Sequence, residues 1–158
     1  MLENMITDRT AEDVLRWREL RDKGIDKMTP AELEEWESNM KGSYNISDLN
    51  RVGSALAFLR NELIKAGYLV GIEFNPKTDW KENDVPTRQE YVWIVYAVGV
   101  VRDALARYRT TPKAPTTNSK LDFQIANDIE QILIDVDDLL IKTNATPLYC
   151  GELYCGEI

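Results

Sequence analysis

The sequence predicts an all-α fold of about five helices, two short and three long, packed as a bundle with an extended C-terminal tail. Three observations carry that prediction. Thr10, Thr29 and Thr87 are each followed three residues later by an acid (Asp13, Glu32, Glu90), the spacing that lets side chain and backbone cap a helix start reciprocally. Leu49, Val52, Leu56, Leu59 and Leu63, and again Ile125, Ile129, Ile132, Val136 and Leu139, recur at alternating steps of three and four, the period of one helical face. Gly24, Gly42 and Gly67 stand just past periodic segments, where helices stop.

The first helix is expected to begin near Thr10 and end before Gly24, with Val14, Trp17 and Leu20 or Arg21 on its inner stripe. The second start is stronger: Thr29 caps, Pro30 takes the first helical position, where its missing N–H has no partner to lose, and Glu32 closes the box. Leu33, Trp36 and Met40 follow, and Gly42 is its expected stop. Each short helix presents one tryptophan toward a common core. Ser47 is the expected cap of the third helix, which Gly67 closes. From Leu69 to Asp84 the period is lost and Gly71 and Pro76 intervene, which reads as a long connection with one extended piece at Leu69–Phe74. Such a length in a compact domain points to function.

The run Tyr91–Val101 holds six β-branched residues and favours a strand by propensity. The capping box before it and the continuation Arg102–Arg107 favour a helix reaching about Tyr108, central and apolar nearly all round. A linker with Pro112 and Pro115 leads to the last helix, Leu121–Lys142, whose other face carries Asp128, Asp135 and Asp138. Leu56 and Ile132, mid-stripe, are expected in the core. The helical domain spans 1–146. Beyond it, Leu148–Glu152 (Leu-Tyr-Cys-Gly-Glu) is repeated at Leu153–Glu157, and the glycines disfavour helix. Residues 147–158 therefore read as an extended docking segment whose Tyr149, Leu153, Tyr154 and Ile158 bind a partner. The alternative is that it folds back over its own helices.

With 44% hydrophobic and 29% charged residues, 158 residues suit one globular domain that needs no disulfide or metal. A net charge of −8 repels phosphate backbones and anionic headgroups, which excludes nucleic acid and membrane surfaces as expected partners. The longest apolar run falls short of the roughly 20 residues of a membrane span. The N-terminus lacks the pattern of a secretory signal, so synthesis in the cytoplasm is expected. With no histidine, Ser-His-Asp triads, Cys-His pairs and His-ligated zinc are gone. Cys150 and Cys155 lie near glutamates that oppose thiolate formation, and two thiols are half a structural zinc site, so free thiols are expected. Asp135 and Asp137 point about 160° apart on a helix, which reads as a solvated acidic face. The expectation is a non-enzyme with no catalytic residues, no metal and no cofactor. A carboxylate-only enzyme is the remote alternative, since no pair among 27 acids can be singled out. Trp80, outside the helices, is either a loop anchor in the core or an exposed platform for a partner or a sugar.

Several stretches resemble a group of small proteins and C-terminal modules encoded among the tail genes of phages and prophages of Gram-positive bacteria. They are Ile6–Thr10, Met28–Glu32, Met40–Asn45, Asp48–Val52, Lys77–Trp80, Asn127–Glu130 and the terminal Gly-Glu repeats, spread in order over nearly the whole chain. The run Tyr91–Val101 is more apolar than that group's. The resemblance implies a virion structural protein of the tail tip, baseplate or fibre-attachment region, made in the host cytoplasm. Its partners would be other virion proteins or further copies of itself. It brings no catalytic residues. The alternative is a receptor- or carbohydrate-binding module of a phage tail, with Trp80 and nearby tyrosines as stacking platforms.

Overall fold

The computed structural model describes residues 2, 4–69 and 73–145. Among them are five α-helices and no strand: α1 (Ala11–Lys23), α2 (Pro30–Glu37), α3 (Ile46–Lys65), α4 (Arg88–Asp103) and α5 (Phe123–Ala145). The capping boxes at Thr10, Thr29 and Thr87 all form. α3 departs from expectation. Its cap is Asn45 rather than Ser47, because the Asn45 side chain accepts from the N–H groups of Ser47 and Asp48 while Asp48 returns a bond to the Asn45 backbone. At its other end Gly67, at φ 82°, completes a Schellman turn: the Tyr68 N–H donates to the Leu63 carbonyl and that of Gly67 to the Ile64 carbonyl.

The long helices start at one end of the molecule. Residues from the first turns of α3 (Ile46, Leu49) and α4 (Tyr91, Ile94) and from the beginning of α5 (Leu121, Ile129) line one depression there. Three parallel helices require two return crossings. α3, with 20 residues, is about 30 Å long, which an extended chain covers in about ten residues. Residues 66–87 and 104–122 make those crossings. The first passes α3 at Gly53 and Asn50. The second runs back along α5, with the Tyr108 hydroxyl on Asp138 and the Thr111 hydroxyl on Asp135. The length of the connection after Leu69 is thus explained by topology; the middle of the extended piece expected at Leu69–Phe74, residues 70–72, lies outside the described residues, and 73–87 is irregular.

Leu56, Leu59, Leu63, Val98, Val101, Ile132 and Leu133 are sealed between the three long helices. α4 is apolar nearly all round but is not enclosed. It buries Val95, Ala97, Val98 and Val101 but leaves Trp93 54% and Tyr96 45% exposed. It also stops at Asp103, short of Tyr108, where the chain turns back and the Arg102 Nε donates to the Pro112 carbonyl. On α5 the inner stripe is Ala126, Ile129, Leu133, Val136 and Leu140 together with Ile132, while Leu139 is half-buried.

α1 and α2 form a separate arm. Trp17 and Trp36 stack on each other at 6.3 Å rather than entering the main core, and Arg16 grips Glu35 through Nε and Nη2. α2 ends at Glu37, ahead of Gly42, with Asn39 in the left-handed region at φ 59°. Gly42 serves another purpose: a Cβ there would lie 2.0 Å from the Asp13 carbonyl, so only glycine lets this turn press against α1. No helix of the described residues is long and apolar enough to cross a membrane.

Candidate functional site

Two side-chain assemblies hold the frame on which any site depends. The first is a buried charge cluster. Arg9, 4% exposed, donates from Nη2 to Asp48 at 2.9 Å and to Glu130 at 2.7 Å. Arg51 bonds the same two carboxylates, meeting Glu130 through Nε at 3.0 Å and Nη2 at 2.8 Å. Two cations and two anions balance, as a buried set must. Segment 2–9 is drawn in with them, running antiparallel to α5. The Leu2 N–H donates to Asp137, that of Ile6 to Glu130 and that of Arg9 to Asn127, whose amide donates back to the Arg9 carbonyl. Burial beside Glu130 and Asp48 pushes the Tyr44 phenol up.

The second assembly fixes the returning chain on α3. Asn50 accepts from the Trp80 N–H at 2.8 Å and donates to the Trp80 carbonyl at 3.0 Å, and the Lys77 ammonium lies 4.0 Å from the ring centre. Trp80 is 5% exposed. Its ring packs as an anchor, and the open face a sugar would need for stacking is covered.

Beside this anchor lies the candidate site, a groove of about 410 Å3 between α3, α4 and the first crossing. Leu56, Phe74, Trp80 and Ile94 give it an apolar floor, and Lys77 and Glu90 supply charge. Trp93 belongs to its wall and meets Tyr96 edge-on at 5.8 Å, which makes an aromatic pair standing out from the molecule. Large, stiff aromatics over an apolar depression are what protein interfaces use as anchors, because they bury much area at small entropic cost. Sequence reasoning missed this pair by reading α4 as enclosed. The missed signal is spacing: Trp93 and Tyr96 lie three apart, off the Val95–Val98–Val101 stripe.

Of the residues expected to bind a partner, Trp80 lines the groove as its inner wall. Tyr149, Leu153, Tyr154 and Ile158, like Cys150 and Cys155, lie outside the described residues. The acids of α5 do not form the expected solvated face, because Asp137 is only 4% exposed. Asp135 takes Thr111 and Gln131, Asp138 takes Tyr108 and Lys142, and Asp137 faces inward to the Leu2 N–H. Lys142 and Tyr108 hold the Asp138 carboxyl below its ordinary range, and burial with nearby Asp122 raises that of Asp128. Among the described residues no group of three or more acids, cysteines or histidines could hold a metal ion. Compared with known proteins, the chain matches no family model, no curated protein and no solved structure.

Proposed function

We propose that this chain is a non-enzymatic structural protein of a phage virion, a tail, baseplate or fibre-attachment component that works by protein–protein contact. The observation that carries the contact role is the Trp93–Tyr96 pair on the outer face of α4, more than 40% exposed, with Trp93 in the wall of an apolar groove. The virion setting comes from the resemblance alone. The stretches that carry the resemblance bear the side chains that lock together here: Arg9 with Asp48, Arg51, Asn127 and Glu130, and Asn50 with Trp80.

Mass spectrometry of purified particles from a phage encoding this protein tests the reading. The expected result is the protein at a fixed ratio to the tail components, and its loss from particles when Trp93→Ser and Tyr96→Ser are combined, with the melting temperature of the isolated variant unchanged. Particles that lack the wild-type protein, or that incorporate the variant normally, would overturn it.

A further inference from the structure

A second crevice, of about 590 Å3, opens between the α1–α2 arm and the start of α5. Leu15, Trp17, Leu121 and Phe123 make its walls apolar, and Leu15 is 57% exposed. Its lining is richer in cations than the molecule as a whole, with Arg18 and Lys41 at its exposed rim and Arg9 balanced by the buried acids. In a chain of net charge −8 this lining carries Arg9, Arg18 and Lys41 against the single acid Asp122. Arg18 is exposed, and Arg9, otherwise engaged in the buried cluster, keeps an Nε donor with no acceptor among the described residues. Lys41 is paired with exposed Asp8 at 2.6 Å. α5 begins here, and the Asp122 carboxylate caps it by accepting from the Ile125 N–H at 2.8 Å, so the one acid of the lining is engaged in the helix start.

We infer that this crevice receives residues 147–158 of a second copy of the chain. That segment has the complementary chemistry: it holds no base, and twice it sets a leucine and a tyrosine ahead of a glutamate, Glu152 and Glu157. The apolar side chains fill the crevice and the glutamates meet Arg18 and Lys41. Geometry favours a second copy over the segment's own domain. The crevice is at the first residues of α5, whereas the segment leaves from the last, and 23 helical residues separate the two by about 34 Å. Twelve residues reach about 40 Å at full stretch, so the first of the two repeats would fall short of its own crevice. Reciprocal exchange between two chains closes as a two-fold dimer.

The inference deepens the assembly reading and rests on it only in taking protein contact as the function. Its test is sedimentation velocity of the isolated full-length protein over a concentration range. The wild type should dimerise. Arg18→Glu with Lys41→Glu should weaken the dimer by about tenfold or more, as should Glu152→Lys with Glu157→Lys, and an equimolar mixture of the two variants should recover association. Should the first variant melt early, Arg18→Glu alone, at an exposed position, replaces it. A wild type monomeric throughout, a dimer indifferent to either reversal, or a mixture that stays apart overturns the inference. Incorporation into particles through Trp93 is read separately, so the two proposals fail independently.

Discussion

Arg9 places one guanidinium between carboxylates that come from α3 and α5, and its own backbone joins the first residues of the chain to the last helix. Replacing it by leucine leaves Asp48 and Glu130 sharing Arg51 alone in a site closed to water. Arg9→Leu should therefore lower unfolding free energy by about 3–5 kcal/mol, read as a shift in denaturant midpoint. Tyr44 gives a prediction in pH. Its folded pKa is raised by burial, so its contribution is complete below the unfolded value near 10 and is lost as pH climbs from there toward the folded value. Melting temperature should fall above about pH 10, and Tyr44→Phe should flatten that fall; an equal slope in the variant refutes the assignment. None of these residues was legible in the sequence. A capping box is read within four residues, but Arg9 meets Glu130 across 121 positions, and a charged residue is read as solvent-facing until its partner is known.

At the level of elements, two glycines inside helices have opposite meanings. At Gly53 a Cβ would sit 2.1 Å from the Lys77 carbonyl, because the first crossing lies directly on α3. Gly99 on α4 has nothing within 4 Å. Gly53→Ala should cost about 1–3 kcal/mol or more through displacement of the crossing, whereas Gly99→Ala should stabilise by about 0.5–1 kcal/mol by favouring helix. Thermal melts of the two variants should move in opposite directions. The helices themselves were legible from caps and period, and Leu56 and Ile132 are both fully buried as their stripe positions require. The exposed side of α4 was not, because a run such as Val92–Val101 is apolar at nearly every position and hides which face looks outward. The Ser47 and Gly42 assignments failed for one reason: each residue has the right chemistry for a cap or a stop, but Asn45 and Asn39 reach the geometry first.

For the whole molecule, the class and number of helices could be read, but their direction could not. Period reveals a buried face and carries no information on which way a neighbour runs. The return crossings settle it, and the first of them also forms one side of the candidate groove through Phe74, Lys77 and Trp80. If residues 147–158 dock on another chain, their deletion should leave the melting temperature of the dilute protein nearly unchanged and abolish its incorporation into particles. A marked destabilisation would place the segment in the fold instead. The N-terminal segment has the opposite standing, and synthesis order gives it a cost. Leu2, Ile6 and Arg9 are made well before their partners on α5, which lie 135, 124 and 118 positions later. While the ribosome still holds the chain short of Glu130, Arg9 has only Asp48 to meet and the groove along α5 does not exist. Segment 4–9 therefore waits for α5, and a nascent chain stays open there to proteases and chaperones until that helix has emerged.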